Sequence, residues 1–423
     1  MKQENGPRKR ISRTVALFRP EGRAGLRGAV SLVAARMRDG RLKSTRLESS
    51  LRRELVNLNE LLAGIRGLSF GNIVMFVVGG FLIYLAVRRD YEPMLLLPIG
   101  FGAILANIPF TSVLGEHGVL ELLYRTGIKT ELFPILIFVA VGAMIDFTPL
   151  LQRPETLLFG AAAQFGVFAT MVIASYLGFS LKEAASIGII GAADGPTSIY
   201  VATKFASHLL APISVAAYSY MALVPIIQPP VVRALTTPAE RRTRMDTKEI
   251  AVPRIVRILF PIGVTLVAGV IAPISVALVG MLMFGNLIRE SGVLERLSKA
   301  AQNELANLVT LLLGITIGSS MRAESFLNYK TLLIMGMGLL AFIFDTGGGV
   351  LFAKALNLVL RRKINPMIGA CGISAFPMSA RVIAKMALKE DPTNYIVMHA
   401  VGANVAGQIA SIVAGGLILA LVA

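Results

Sequence analysis

The chain has 423 residues, 55% of them hydrophobic, with a formal net charge of +17, one cysteine and a mean hydropathy of +0.69. Soluble domains carry roughly 45 to 50% apolar residues, so the composition describes a polytopic membrane protein. The lone Cys371 excludes an intramolecular disulfide or cysteine-cluster metal site, the scattered His117, His208 and His399 exclude a zinc motif, and no Gly-Lys-Ser or Gly-Lys-Thr cradles ATP.

Residues 1–54 hold fifteen Lys/Arg against five Asp/Glu, which places +10 of the charge ahead of the first apolar span. Such an arm is expected on the cytoplasmic side, near anionic headgroups. It lacks the tyrosine and tryptophan that stack on bases, which speaks against nucleic acid. Its longest apolar stretch, Ala29 to Ala35, is too short for a secretory signal. Residues 55–92 form an amphipathic lead-in and a first transmembrane helix, from about Gly71 to Val87, closed by Arg88, Arg89 and Asp90. Apolar runs follow at Pro93–Leu114, Phe133–Phe147, Leu157–Phe179, around Asp194 and at Leu209–Val232. Runs of about 15 to 25 residues cross a bilayer as helix, not as barrel strands. The loop 233–257 carries Arg233, Arg241, Arg242, Arg244, Lys248, Arg254 and Arg257 against three acids, and is expected in the cytoplasm.

The second half resembles the first. Phe101-Gly102 and Phe284-Gly285 stand 183 residues apart, and Ile190-Gly191-Ala192 and Ile368-Gly369-Ala370 stand 178 apart. The predicted architecture is all-α: two inverted repeats of about five transmembrane helices, 93–232 and 258–423, with broken helices at matching positions, plus the N-terminal helix. Inverted repeats with interrupted helices mark secondary transporters with a site at the repeat interface. Chance likeness between Gly-rich apolar segments is the competing reading.

The interruption in the first half is Gly191-Ala192-Ala193-Asp194-Gly195-Pro196-Thr197. A charged side chain at membrane depth costs about 2.5 to 3.5 kcal/mol and usually faces a cavity or ion path. Gly195 and Pro196 disfavour an unbroken helix, so two half-helices are expected to meet near the bilayer centre. A proline-kinked helix with a structural Asp–Arg pair is the alternative. The second interruption, Asn365 to Ser374, supplies an amide, a hydroxyl and loosened carbonyls. One carboxylate among neutral oxygens suits a monovalent cation. Asn404 is either a further ligand or an interhelical hydrogen bonder. Arg381 either grips a carboxylate bidentately or snorkels to headgroups. Tyr220 either donates a proton or packs. His399 reads as a core histidine, and sequence does not sort Asp146, Glu324 and Asp345 into ligands and structural acids.

Three runs carry a family likeness: Asp194-Gly195-Pro196-Thr197; Ala217-Tyr218-Ser219-Tyr220 through Gln228-Pro229-Pro230; and Asn365-Pro366-Met367-Ile368-Gly369-Ala370 with Pro377-Met378-Ser379-Ala380-Arg381. From about Leu55 onward the chain resembles the beta subunit of the sodium-pumping biotin-dependent decarboxylases, which act on oxaloacetate, methylmalonyl-CoA or glutaconyl-CoA. The resemblance implies a multi-pass protein of the cell membrane that decarboxylates carboxybiotin and exports Na+, with a proton consumed. It implies Asp194, Asn365, Ser374 and Asn404 as sodium ligands, with Ser374 also serving proton movement. Tyr220 and Arg381 are implied in the carboxybiotin region, and Gly369 as the point of close backbone approach. The implied partners are a carboxyltransferase alpha subunit, a biotin carrier and a small membrane subunit of gamma or delta type, with self-association left open. Ala384-Lys385-Met386 lacks the first methionine of a biotin attachment signature, so the carrier is expected on another chain. The runner-up is a sodium-coupled symporter of a small carboxylate, in which Arg381 grips the solute.

Overall fold

The computed structural model describes residues 64–89, 92–115, 117–245, 251–271 and 273–422. The predicted arm, and the lead-in up to residue 63, lie outside the described residues. The chain divides into two units, Met1–Arg66 and Gly67–Ala423, and the helices that follow belong to the second. Among the described residues there is no strand, and seven helices are long and apolar enough to span a bilayer, or up to nine if each bent pair is one span.

The first half comprises α1 (Phe70–Arg89), α2 (Pro93–Ala106), α3 (Val119–Leu123), α4 (Leu132–Met144), α5 (Thr148–Gln152), α6 (Leu157–Ala163), α7 (Phe165–Tyr176), α8 (Leu181–Gly188), α9 (Gly195–Phe205) and α10 (Leu210–Leu235). After α11 (Pro238–Arg241), the second half comprises α12 (Arg254–Ile271), α13 (Val276–Ser291), α14 (Glu295–Ala300), α15 (Ala306–Ser319), α16 (Ala323–Phe326), α17 (Tyr329–Val359), α18 (Met378–Glu390) and α19 (Val397–Val422). A single π turn follows α3 at Tyr124–Ile128 and α14 at Ala301–Leu305, at the same place in each series. Helix α10 bends by 67° between Met221 and Leu223. Pro225 explains the bend, because it has no N–H to give the carbonyl of Met221.

The halves cross each other through small residues. Helix α2 packs on α15 and α13 packs on α4. Gly102 lies against Gly318 in the first crossing, and Gly285 lies on the Val139 and Ala143 backbone in the second. Lipid tails supply no hydrophobic drive to associate, so contact at backbone distance is what holds such crossings.

The interrupted segments do not cross the membrane; each turns back to the face it entered. The first runs through α8 and a 3-10 turn (Ile189–Ala192) to its tip, and returns as α9. Its ends are tied by Glu183 to His208 at 3.0 Å, with Lys182 over the Phe205 ring at 5.5 Å. The second runs through the 3-10 turn Pro366–Gly372 and returns as α18. The Asn365 amide donates to the carbonyls of Arg241 (2.8 Å) and Thr243 (3.0 Å), and Arg241 pairs with Glu390 at 2.8 Å. Helix α17 shows that the two bases lie at opposite faces. Its Lys330 approaches Glu183 at 3.9 Å, whereas Lys354 donates to the Leu235 carbonyl at 3.0 Å, about 36 Å farther along the helix. Phe70 belongs to the Glu183 face, since Gly71 lies against Ala323, just ahead of Tyr329.

The base of the second hairpin is further held by Arg244 and Asp391, 2.9 Å apart. Hydrogen bonds from the Thr393 hydroxyl and N–H, and then from Arg244, lower the Asp391 carboxyl to about 2. A folded pKa below the unfolded value of about 3.9 gives stabilisation that is full well above pH 4 and lost as pH falls toward 2. Hydrogen exchange of residues 237–244, corrected for its intrinsic pH dependence, is therefore expected to quicken between pH 5 and pH 2. Asp391→Asn should remove that step.

Candidate ion site at the hairpin tips

The two tips meet. Ala193 takes a left-handed conformation (φ 52°), which turns the chain at the end of the 3-10 segment and leaves Asp194 as the N-cap of α9. Such a backbone costs a non-glycine residue about 1 to 2 kcal/mol, an expense typical of functional turns. Pro196 sits at the second position of α9, where its missing N–H is one the helix start leaves unpaired anyway. It begins a helix rather than breaking one.

Asp194 is 4% exposed. Its carboxylate accepts from the Thr197 hydroxyl at 2.7 Å, the Thr197 N–H at 3.3 Å and the Ser374 hydroxyl at 3.4 Å. The Ser374 N–H donates to the Ala192 carbonyl at 2.9 Å, which joins the tips backbone to backbone. From α19, Asn404 donates to the Ile373 carbonyl at 2.7 Å and Gln408 donates to the Ser374 carbonyl. The Asn404 side-chain oxygen is buried and has no hydrogen-bond partner among the described residues. Of the residues singled out in the sequence, Asp194 and Ser374 thus meet, and Asn404, with Gln408, binds the carbonyls of the second tip beside them.

Beside them lies a cavity of about 250 Å³, whose walls include Asp194, Ser374, Gln408, Tyr218, Phe376, Pro377 and Glu92. A larger groove between α5, α12 and α19 is lined almost wholly by apolar side chains. Among the described residues that line it, Ser275 is the polar one.

Three expected residues stand elsewhere. Asn365 lies at the base of its hairpin, with its amide on the 241–243 backbone and its oxygen accepting from the Met367 N–H at 3.1 Å. It caps the 3-10 turn, and both ends of its side chain are engaged. The Tyr220 hydroxyl donates to the Met335 carbonyl of α17, while Tyr218 faces the cavity. Residues two apart on a helix point about 200° away from each other, so only one of the pair can face Asp194. Arg381 is exposed in the first turn of α18, one turn past Pro377, and its guanidinium makes no ion pair or hydrogen bond among the described residues.

Gly369 and Gly349 of α17 stack backbone on backbone, and a Cβ on either would overlap the other's carbonyl. The unsorted acids separate as well. Asp146 pairs with Arg289 at 3.5 Å, Glu324 is exposed, and Asp345 is buried, accepting from the Val167 N–H at 3.1 Å.

Residues 71–422 match the model of the Na+-transporting oxaloacetate decarboxylase beta subunit family. The chain belongs to this family. It is 51% identical over 360 residues to the glutaconyl-CoA decarboxylase subunit beta of Acidaminococcus fermentans, covering 85% of this chain and 96% of the relative. It is 52% identical over 359 residues to the methylmalonyl-CoA decarboxylase subunit beta of Veillonella parvula, covering 85% and 95%. It is 44% identical over 426 positions to the oxaloacetate decarboxylase beta chain 2 of Salmonella typhi, covering 86% and 98%. The chain is thus the multi-pass membrane subunit of a decarboxylase sodium pump, and the symporter reading is not supported.

The glycine contact yields a paired prediction within α17. Gly349→Ala, which pushes on the Gly369 carbonyl, is expected to cost about 1 to 3 kcal/mol. Gly336→Ala, where a Cβ meets nothing within 4 Å, is expected to stabilise by up to about 1 kcal/mol through helix propensity. Opposite shifts of the thermal midpoint in detergent would bear this out.

Proposed function

We propose that this subunit decarboxylates carboxybiotin presented by a separate carrier, and couples the loss of CO2 to moving Na+ outward through the Asp194 site. The observation that carries the reading is the meeting of the hairpin tips, one from each half, around a buried carboxylate contacted by two hydroxyls, with two amide side chains of α19 bonded to the carbonyls beside it. The Thr197 and Ser374 hydroxyls donate to Asp194, and rotation of either O–H would turn its lone pairs toward a cation. With the idle Asn404 oxygen they make a set of hard, mostly neutral donors that suits Na+.

Of the remaining expected residues, Asn365 is assigned to fixing the hairpin base and Tyr220 to holding α10 on α17. Tyr218 takes the place of Tyr220 at the cavity. Carboxybiotin, when presented, supplies the carboxylate that is lost. Arg381 fits an anchor for that anion, because its guanidinium is unpaired and stands beside the N-terminus of α18, where backbone N–H groups also favour negative charge. An exposed cation in the first turn of a helix opposes the dipole and gains nothing structurally. Loss of the anion would change the field at a hairpin that shares backbone and hydroxyl bonds with the ion site, a differential effect on two conformations.

The partners proposed are a carboxyltransferase, a biotin carrier and a small membrane subunit. Relatives named for three different substrates are 44 to 52% identical to this chain, which supports placing substrate choice in the carboxyltransferase. The exposed Arg233, Arg242, Arg361, Arg362 and Lys363 form a basic surface suited to docking the carrier.

Two tests follow. In the purified complex, Asp194→Asn is expected to abolish sodium-dependent decarboxylation, and Arg381→Lys, which cannot grip bidentately, to lower turnover about 10- to 100-fold. Sodium-dependent turnover by Asp194→Asn would refute the assignment. The second test concerns orientation. The positive-inside rule assigns the 236–245 face to the cytoplasm, so α1 starts at the outer face. The expectation of a cytoplasmic N-terminus then holds only if the chain crosses once more before Phe70. An impermeant maleimide should label Ser69→Cys in intact cells and Arg242→Cys only after permeabilisation, with the native Cys371 silent because it is buried.

A further inference from the structure

Among the described spans, α12 is the least enclosed. It packs on α13, while the apolar groove, about 450 Å³ in volume, separates it from α5 and α19. Phe260, Val264, Val267 and Ile271 wall the groove on one side, Leu157 and Ile409 on the other. Leu157, Val267 and Ile271 are exposed, so it opens sideways toward the bilayer. A void at this depth would forfeit the contacts of every side chain that lines it, so the groove takes an apolar occupant.

Size and charge say which one. From Phe260 to Ile271 the helix rises roughly 16 Å, so 450 Å³ corresponds to a mean width of about 6 Å. A helix with its side chains is about 10 to 12 Å across and does not fit within it. A single hydrocarbon chain, whose carbons meet their neighbours at about 4 Å, does. Arg257 stands seven residues before Val264 and eleven before Ala268, on their face of α12 and just beyond the Phe260 end of the groove. Its guanidinium shares Glu290 with Arg289, at 3.3 and 3.5 Å, and its Nε is buried with no hydrogen-bond partner among the described residues. Arg254, one turn earlier, is exposed and donates to the Ser291 carbonyl, and it has no acidic partner among the described residues. Arg153 and Glu155, on either side of Pro154, cancel in charge.

This end belongs to the basic face. Arg289 donates to the Met144 carbonyl at 2.8 Å, at the end of α4 away from Glu131, and Glu131 pairs with Lys204 near the base of the first hairpin. Basic groups between spanning helices on that side bind anionic headgroups, and guanidinium groups suit phosphate oxygens.

We propose that one anionic phospholipid from the leaflet at the basic face binds here, with its phosphate at Arg254 and Arg257 and one acyl chain lying in the groove between α12 and α19. The chain packs on Ile409, next to the Gln408 that bonds the Ser374 carbonyl, and so braces the wall behind the hairpin tips. The site is separate from Asp194 and does not depend on its assignment.

The protein contains no tryptophan, so a single introduced one reports without background. Val267→Trp at the groove rim and Val77→Trp, exposed on α1, are placed in the full-length chain and reconstituted into phosphatidylcholine vesicles with a rising fraction of brominated phosphatidylglycerol. Quenching at Val267→Trp is expected to show about a fivefold preference for the anionic lipid, the effect of one basic side chain near the surface. Quenching at Val77→Trp should follow mole fraction. Arg254→Gln combined with Arg257→Gln should abolish the preference. Gly263→Leu, on the groove wall where a Cβ meets nothing within 4 Å, should fill the groove and do the same, whereas Gly80→Leu, equally open on α1, should leave it unchanged. Equal quenching at the two reporters overturns the proposal, and so does a preference that survives either change. Should the arginine variant not fold, Gly263→Leu decides alone. If Val267→Trp escapes quenching in the assembled complex while Val77→Trp does not, a protein helix covers the groove and the proposal fails.

Discussion

At membrane depth there is no water to satisfy a broken backbone, and this constraint shapes everything around Asp194. Each hairpin tip interrupts a helix, freeing N–H and C=O groups that would cost several kcal/mol apiece in lipid. The tips satisfy one another. Ser374 N–H meets the Ala192 carbonyl, and the carbonyls exposed at Ile373 and Ser374 are taken by the amides of Asn404 and Gln408. Amides in an otherwise apolar helix are explained by this need before any ion is considered. Once their N–H groups are committed to carbonyls, the amide oxygens are left over.

The charge balance follows from the same geometry. Among the described residues Asp194 has no lysine or arginine partner, yet it caps the N-terminus of α9, and the N-terminus of α18 begins a few residues past Ser374. Each helix start carries roughly half a positive charge, so two of them ease the burial of one carboxylate without a cationic side chain that would exclude a bound cation. The oxygens around Asp194 come from both hairpins and from α19, so neither half holds the site alone. A shift of one half against the other breaks the set.

Much of this was legible in the sequence. The apolar runs mark α1, α4 and the Pro154–Tyr176 span to within a few residues, and Asp194 with Ser374 and Asn404 is found from the matched Ile-Gly-Ala motifs and the polar groups near them. What was not legible was hidden for local reasons. Pro196 and Pro366 look like breakers in a linear reading, but each follows an Asp-Gly or an Asn in the pattern of a helix start. That pattern was the available signal that Asn365 is a cap. Tyr218 and Tyr220 cannot be distinguished without the rotation of α10, which its bend at Pro225 and its packing on α17 determine. Glu92 sits at the end of an apolar run among Arg88, Arg89 and Asp90, where an acid reads as an interfacial residue. Its place in the cavity wall has no sequence signature.

The position of the cavity bears on how such a site could be worked. The cavity adjoins Glu92, at the end of α1 away from Phe70 and hence toward the 236–245 face. Three residues past Asp194, Thr197 packs against Gly415 of α19, with Ile189 close by. If an ion is held at Asp194, the cavity offers it a path toward the basic face. To leave outward it needs α9 to part from α19, and the bonds that resist this run through Ser374, at the tip of the hairpin that carries Arg381. If an anion is gripped at Arg381, the same hairpin feels both the anion and the ion. A helix pair entering from the basic face would thus link an anion at Arg381 to the bonds around Asp194.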